Sequence, residues 1–479
     1  MPQTAASLNA SLASILDAGS VLTDPSALAA YAIDEVAPGA VVKPASAEQA
    51  AEVVRFALRE RLAVIPVGSR GKLNIGNAPA RYDIALDLTA LNQIAHYDPG
   101  DLTLSVDAGC TLQTIADTLS PQKQFLPLSL AFGGQCTVAG TIAAGVDSPL
   151  RQFYGTARDF LVGAEFIDGT GTRVKSGGRV VKNVTGYDLH KLLIGSLGTL
   201  GIITRLNFRT FPVIDGGDSQ SATFCAAFAD AAAAIAFRQK IAASVFTPDA
   251  VEIVSPELGR IFAAKNPSAG GPSSVALGNW FSPEHWHVVV QCHGTPEVRS
   301  RYEAALRESA VDAGAKTNAA WPAQSEGYQS SEFGSEARTM GAFVNAAPRI
   351  LRAASPGATI FKIAQLPAKL PALFNALSTV ADEAQIPHAL FARGLGITYF
   401  ALLPLEPSRD AAIAQLAPAS AKIFAACAAQ SATAQMQFAP AQLKRRMNIL
   451  GPERPDFAAM RRLKSAFDPH NIFAPGRLL

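Results

Sequence analysis

The segment GSLGTLGIIT, residues 195–204, restricts the possible folds of this chain more than any other stretch. It spaces three glycines three residues apart and then changes abruptly to β-branched residues. Beyond them, Ile202, Leu206 and Phe208 alternate with polar side chains, which predicts a half-buried strand. A Rossmann loop reads G-x-G-x-x-G and leads into a helix. These glycines lead into a strand, so a nucleotide bound here is not held in the Rossmann manner.

Length and composition predict a globular protein of two or three domains. The chain has 479 residues, of which 49% are hydrophobic and 17% charged, values typical of folded domains with substantial cores. The formal net charge is only +2 and no long block of Lys and Arg occurs. Composition therefore indicates neither a nucleic-acid partner nor a polybasic membrane contact.

The five cysteines, at 110, 136, 225, 292 and 427, are scattered and form no C-x-x-C pair. This argues against a disulfide framework, a thiolate metal site and an iron–sulfur cluster, and it fits a reducing compartment. The N-terminus does not resemble a secretory signal, and no uncharged apolar run approaches the ~20 residues of a membrane span. We expect a cytoplasmic protein, which another subunit would bring to the inner membrane if it is found there.

Periodicity predicts mixed secondary structure in the first half. Residues 46–62 form an amphipathic pattern with Ser46 as N-cap, and TLQTIADTL predicts a second helix. Strands are expected in AVIPV, RYDIALDLTAL and DLTLSVDAG, and residues 160–178 have the form of a hairpin.

The amino-acid composition and the predicted pattern of elements change near residue 213. Helices are expected at 226–243, 301–314 and 371–386, and strands at 287–292 and 397–405. The polar segments 265–274 and 317–336 are expected to be loops. A basic amphipathic helix and a Pro/Gly-punctuated tail end the chain. We predict an α+β first half, an inserted unit of different composition, and a C-terminal segment that returns to the first half.

Three segments are candidates for ligand binding. In residues 65–79, Gly68, Gly71 and Gly76 permit a tight loop whose N–H groups converge on phosphate oxygens, with Arg70 or Lys72 adding charge. Leu73 stands where a Walker A loop needs Ser or Thr, and an ordinary glycine-rich turn is the favoured alternative for this segment alone. Small residues at 139, 140 and 143–145 leave room for a planar ligand or, equally, form a close-packed helix. The third segment is 180–204.

Taken together and in this order, the three segments resemble the flavin-binding domain of the vanillyl-alcohol oxidase / p-cresol methylhydroxylase (PCMH-type) superfamily. Within it, the chain resembles the FAD-binding (E) subunits of bacterial glycolate oxidases. The tail MRRLKSAFDPHNIFAPGR resembles the family's closing K-x-x-F-D-P-x-x-I-x-N-P-G-R, with Ala474 replacing the usual Asn. The likeness covers about residues 40–212 and the tail. It is weak over 213–440, which is longer than expected of that subunit.

The resemblance implies an α+β fold with a two-subdomain FAD-binding domain at 36–212, divided into about 36–98 and 99–212. An inserted α+β cap would occupy 213–440, and a C-terminal segment at 441–479 would return to the FAD domain. Many relatives carry a covalently linking His in the first loop, where this chain has Ser69-Arg70-Gly71, so non-covalent FAD is expected. The cofactor-binding residues that the resemblance implies are Val67, Gly68, Ser69, Arg70, Gly71, Lys72, Leu73, Pro127, Thr137, Gly140, Thr141, Gly201, Ile202 and Ile203.

No catalytic residues follow from the motifs, and no metal site is predicted. Related D-2-hydroxyacid dehydrogenases carry the metal motif G-H-x-G-D-G-N-x-H, which does not occur here. His285 and His287 would share a strand face, although a half-buried structural edge is favoured. Arg393 suits a carboxylate substrate and Tyr399 lies nearby, but a surface Arg and a packing Tyr are favoured. Candidates near the flavin are Lys182, Tyr187 and His190, the last expected on a helix surface.

Two functions stay open. The first is a flavin oxidoreductase that takes a hydride from a small 2-hydroxy acid such as glycolate. The second is a non-catalytic FAD-binding partner of a sister flavoprotein and an iron–sulfur subunit, which the missing metal motif favours. A third and weaker one, a reductase of a UDP-sugar enolpyruvyl ether on the same fold, would require NADPH.

Overall fold

The strand-forming segments assemble into three main β-sheets, followed by a C-terminal tail. The computed structural model describes residues 5–179, 186–213, 221–265, 281–322, 346–394, 396–405 and 409–478. The α+β fold class is confirmed, while the domain boundaries expected from the sequence stay predictions. The loop predicted at 265–274 lies, after residue 265, outside the described ranges.

The first sheet has four strands in the order β1-β2-β4-β3. Its β2, β4 and β3 are parallel, and helix α3 covers it with an apolar face. Ser46 caps α3, since its Oγ accepts a hydrogen bond from the Gln49 N–H at 3.1 Å, which confirms the predicted start of the helix. The elements of this part are α1 (Ala5–Ile15), β1 (Val21–Leu22), α2 (Pro25–Ala29), β2 (Ala40–Val42), α3 (Ala47–Glu60), β3 (Val64–Val67) and β4 (Ile84–Asp87).

The second sheet has five antiparallel strands in the order β5-β6-β10-β8-β9. Its β8 and β9 form the predicted hairpin, and β10 is the strand predicted after the glycines. Apolar residues of both sheets, such as Val64 and Leu206, belong to one core. The elements are β5 (Ile94–Asp98), β6 (Thr103–Asp107), α4 (Leu112–Leu119), β7 (Gln124–Phe125), α5 (Val138–Ala143), α6 (Arg151–Tyr154), α7 (Ala157–Phe160), β8 (Leu161–Ile167), β9 (Arg173–Gly177), β10 (Ile202–Arg209) and β11 (Phe211–Pro212), the last paired with β7.

The third sheet is antiparallel, with eight strands in the order β15-β12-β14-β13-β17-β18-β16-β19. We call it the cap sheet. Its elements are β12 (Ser221–Phe228), α8 (Ala231–Ala243), β13 (Ala250–Val254), α9 (Pro256–Lys265), β14 (Trp286–His293), α10 (Pro296–Asp312), β15 (Thr317–Pro322), α11 (Ala347–Ala354), β16 (Thr359–Ala364), α12 (Leu370–Glu383), β17 (His388–Arg393), β18 (Ile397–Leu402), α13 (Arg409–Ala429) and β19 (Thr433–Phe438).

Two expectations for this region are wrong. Residues 317–322, the first part of the loop expected at 317–336, form β15 and pair with Ala222–Ala227, because an edge strand needs only one partner and tolerates polar and proline residues. The remainder of that expected loop, 323–336, lies outside the described residues. The helix expected at 226–243 begins at Ala231, since β12 takes the preceding residues and Asp230 caps the helix.

Helix α13 is, within the described ranges, the one helix whose length and composition would allow it to cross a membrane. It contains Pro418. Leu416 and Ile423 are fully buried in the core on the helix-covered side of the cap sheet. This packing accounts for its apolar composition.

The C-terminal segment returns to the first sheet. After α14 (Ala441–Lys444) and α15 (Pro455–Phe467), the Ala474 N–H donates to the Val64 carbonyl at 2.9 Å and the Val64 N–H donates to the Ile472 carbonyl at 2.7 Å. The tail therefore forms a parallel bridge with β3, which ends at the candidate binding loop.

Candidate functional site

A cleft with an empty volume of about 780 Å³, part of it open to solvent, lies between the four-stranded and five-stranded sheets. One wall is the loop after β3, which we call the amide loop (residues 68–72). The opposite wall is α5 with the glycine segment before β10. The lining also includes Gly198, one of the three glycines before β10, and residues that were not among the expected cofactor residues: Ile65, Pro66, Ile75, Leu88, Ala108, Leu197 and Arg477.

The amide loop presents a row of N–H groups without protein acceptors. In the described part of the chain, the N–H groups of residues 68–72 donate no hydrogen bond. Arg70 has a left-handed φ of 66°, a conformation that turns successive N–H groups toward one concavity. Because main-chain donors are seldom left without an acceptor, this loop fits a ligand rich in oxygen acceptors, as the diphosphate of a dinucleotide is.

Small residues let the two walls approach. A Cβ on Gly68 would lie 2.1 Å from Thr137 Oγ1, and the Thr137 N–H donates to Ser69 Oγ at 3.3 Å. The start of α5 therefore packs directly on the loop. Small side chains at Ala139, Ala143 and Ala144 line the cleft, as the sequence predicted.

Most of the predicted cofactor residues meet in this cleft. All seven residues Val67–Leu73 line it, with Thr137, Gly140, Gly201 and Ile203. Pro127, Thr141 and Ile202 are buried but lie outside the lining. Contact of each with a cofactor stays a prediction.

The basic side chains of the loop interact with aromatic rings. Arg70 lies 4.8 Å from the centre of the Tyr31 ring, and Lys72 lies 5.5 Å from that of Phe132. These are cation–π distances. In this structure the loop's main chain, more than its charges, is directed toward the cleft.

Two buried cations of the C-terminal segment hold the residues after the amide loop. Arg477 donates to the carbonyls of Leu73 at 2.5 Å, of Ile75, and of Asn77 at 2.6 Å. Lys444 Nζ donates to the Asn74 carbonyl at 2.5 Å and lies 2.9 Å from Asp34 Oδ2. Burial lowers the pKa of Lys444 to about 8 and that of Arg477 to about 10. The closing P-G-R motif was the only sequence signal for Arg477.

The cap sheet turns a polar strip toward the cofactor cleft. Glu252 of β13 and Arg393 of β17 face each other in register, and Tyr399 of β18 pairs with Lys362 of β16. Lys362 Nζ donates to the Gly145 carbonyl at 3.1 Å, one residue after the cleft-lining Ala144. The strip therefore lies against the segment that continues from α5.

Arg393 is the centre of this strip. It is only 1% exposed, so the surface position favoured from the sequence is wrong. Its Nη1 donates to the Asp147 carbonyl at 2.5 Å, and its Nε lies 3.4 Å from Glu252 Oε2 and 3.3 Å from Glu252 Oε1. Its Nη2 has no hydrogen-bond partner among the described residues. The packing role expected for Tyr399 is confirmed, because its ring stacks on that of Phe391 with the two ring centres 4.5 Å apart.

The structure contradicts what the sequence predicted for two histidines. His285 lies in the turn before β14, so it does not share a strand face with His287. Among the described residues, no group of three or more possible metal ligands occurs. His190, expected on a helix surface, is 2% exposed and bonds to Ser176, because its short helix packs on β8 and β9. Tyr187 is exposed, and Lys182 lies outside the described residues.

Comparisons with known proteins agree with this architecture. The fold is similar to that of p-cresol methylhydroxylase with substrate bound, with a TM-score of 0.72 at 17% identity over 98% of this chain and 95% of that one. The fold is thus PCMH-type. The family model for the FAD binding domain matches residues 38–177, and that for the C-terminal domain of FAD linked oxidases matches 218–436 and 447–478. The chain belongs to the FAD-linked oxidases, and its cofactor is FAD.

Two curated relatives each match about a third of the chain. D-2-hydroxyglutarate dehydrogenase of Xanthomonas citri pv. viticola is 34% identical over 172 residues, which is 36% of each protein. Glycolate oxidase subunit GlcE of Escherichia coli K12 is 34% identical over 162 residues, 34% of this chain and 46% of the relative. The matched region spans less than half the length of these relatives.

Proposed function

We propose that this chain is an FAD-dependent oxidoreductase that oxidises a small 2-hydroxy acid, with glycolate, which would yield glyoxylate, as the first candidate. The observation that carries the proposal is Nη2 of Arg393, which has no hydrogen-bond partner among the described residues, is part of a side chain 1% exposed, and lies beside the segment that leads from the cofactor cleft. A guanidinium binds a carboxylate through two parallel hydrogen bonds. A buried donor without an acceptor is costly, so a bound carboxylate would complete this site.

In this proposal each part of the chain has one task. The amide loop binds the diphosphate through main-chain donors, and α5 with Gly201 and Ile203 forms the wall beside it. FAD bound in this cleft would supply the redox chemistry as the hydride acceptor. Arg393 would orient the substrate carboxylate, and the buried surroundings would exclude water.

We further propose that the chain works in a hetero-oligomer with a sister flavoprotein and an iron–sulfur subunit, located in the cytoplasm or at the inner membrane through those partners. The relative whose name is glycolate oxidase subunit GlcE supports this. The alternative is a non-catalytic FAD-binding, electron-transfer partner. The burial of the polar strip favours that alternative, because Glu252 and Tyr399 are each only 2% exposed and a substrate would have to reach them.

The test is anaerobic mixing of the purified, FAD-loaded chain with glycolate or D-lactate while the flavin absorbance is recorded. Bleaching by the isolated chain supports the enzyme. Bleaching only after addition of co-expressed partner subunits supports the partner role. Oxidation of NADPH by the chain, with no response to either hydroxy acid, would instead support the UDP-N-acetylenolpyruvoylglucosamine reductase-like alternative.

A further inference from the structure

Within the described part of the chain, the polar strip holds three buried atoms without a hydrogen-bond partner, each in a different residue. They are Nη2 of Arg393, Oε1 of Glu252 and Oδ2 of Asp147. All three residues are more than nine-tenths buried. None of these atoms has a hydrogen-bond partner among the described residues, although Glu252 Oε1 lies 3.3 Å from Arg393 Nε and Asp147 Oδ2 lies 3.9 Å from Arg393 Nη1. Buried polar atoms are seldom left without a hydrogen bond. Together they provide one donor and two acceptors, so the cluster lacks a small guest that both accepts and donates hydrogen bonds.

A 2-hydroxy acid has this combination on adjacent carbons. Its carboxylate accepts hydrogen bonds and its hydroxyl donates one, whereas the corresponding 2-keto acid has acceptors only. We propose that Glu252 is the specificity-determining residue of the site: its carboxylate accepts the substrate hydroxyl while Arg393 binds the substrate carboxylate, and it disfavours the keto product. The inference rests on the proposed function and names the group that recognises the hydroxyl.

The placement of Glu252 fits this role. It lies on the face of β13 that is turned toward the cofactor domain, since its neighbours Val251 and Ile253 pack in the core on the opposite side of the cap sheet. Arg393 sits beside it in register on β17. One residue therefore contacts the carboxylate and its neighbour contacts the 2-hydroxyl.

Protonation would reverse this preference. Burial raises the pKa of Glu252 to about 7, opposed by Arg393 and reinforced by Asp147, with a smaller opposing effect from Arg238 of α8. Lys362 and Tyr399 lie on the same sheet face, and Asp147 is itself paired with Arg151. His287 of β14, whose pKa burial lowers to about 4, stays neutral in this range. Below pH 7 a protonated Glu252 would donate to a keto oxygen, and above it the carboxylate would repel that oxygen.

The test compares binding of pyruvate and D-lactate to the FAD-loaded protein. Pyruvate is not oxidised by the flavin, so calorimetry reads its affinity without turnover. D-lactate affinity comes from the concentration dependence of anaerobic bleaching. We expect pyruvate to bind wild type roughly tenfold more tightly at pH 6 than at pH 8. Glu252→Gln keeps an acceptor for Arg393 and adds an N–H donor, so it should bind pyruvate about tenfold more tightly at pH 8, bind D-lactate more weakly, and lose the pH dependence.

Glu303→Gln is the matched control, because Glu303 is on α10 and pairs with Arg307 away from the strip. It should behave as wild type. Unchanged pyruvate affinity across pH and in Glu252→Gln, with D-lactate still bound, would overturn the inference alone. If wild type binds neither acid, both this inference and the proposed substrate class are contradicted. Should Glu252→Gln fail to fold, the wild-type pH dependence of pyruvate binding decides by itself.

Discussion

Single glycines in the site serve different purposes, although the sequence presents them alike. Gly195 and Gly198 have φ of 78° and 73°, which side chains rarely adopt. A Cβ on Gly201 would meet Phe166 Cδ2 at 2.9 Å. The fold therefore requires these glycines whether or not a cofactor is bound, because two of them have left-handed backbone and the third has no space for a Cβ.

Gly68 and Gly71 provide a residue-scale prediction. Gly68→Ala should lower the free energy of unfolding by about 1–3 kcal/mol, because its Cβ would collide with Thr137 and overpack the loop against α5. Gly71→Ala is the matched variant, since its Cβ would meet only Cys136 Sγ at an ordinary 3.7 Å, and we expect less than about 0.5 kcal/mol. Urea unfolding of the apoprotein measures both. Equal losses in the two variants would contradict the structure.

At the scale of elements, contact between the tail and the amide loop is the feature with the clearest consequence. Arg477 holds the carbonyls of residues 73, 75 and 77. These carbonyls follow directly on the amides that face the cleft. When the carbonyls are bonded to the tail, the preceding N–H groups are kept in one orientation, so a residue some 400 positions away preorganises the loop.

We therefore expect Arg477→Met to weaken FAD binding at least tenfold, because up to three carbonyls lose their donor at about 1–3 kcal/mol for each one left buried and unsatisfied. Arg477→Lys should recover part of the affinity. Flavin fluorescence titration of the apoprotein measures the affinity of each variant for FAD.

Arg81→Met is the control for this variant. Arg81 also binds the tail, at the Asn471 carbonyl at 3.2 Å, but on the exposed side away from the loop. Its FAD affinity should stay within about twofold of wild type. A similar loss in both variants would show that tail docking in general, and not the hold on residues 73–77, sets the affinity.

Elements with a local signal were predictable, and those defined by their neighbours were not. Helix α3 carries its own N-cap and apolar period, and β10 its own alternation, so both were predicted correctly. The edge strand β15 reads as a polar loop because its order comes from hydrogen bonds with β12, which no local pattern records.

At the scale of the whole molecule, the mode of FAD attachment is testable. The loop where many relatives link FAD to His contains Ser69, Arg70 and Gly71, so we expect the flavin to leave the protein in acid or on heating. A ligand that binds only the folded state stabilises it by about 2.7 kcal/mol at one hundred times its Kd, and Tm should rise with added FAD. A yellow acid precipitate, with Tm independent of FAD, would contradict this.

The sequence by itself determined the local chemistry: a glycine loop after a buried strand, glycines before a half-buried strand, and a P-G-R tail. These depend on backbone sterics and side-chain period, which act over a few residues. Tertiary structure alone decided that Arg477 reaches the loop, that Arg393 is buried and not at the surface, and that Glu252 lies beside it. Desolvation and pairing depend on what covers a residue, and those neighbours are more than one hundred positions away.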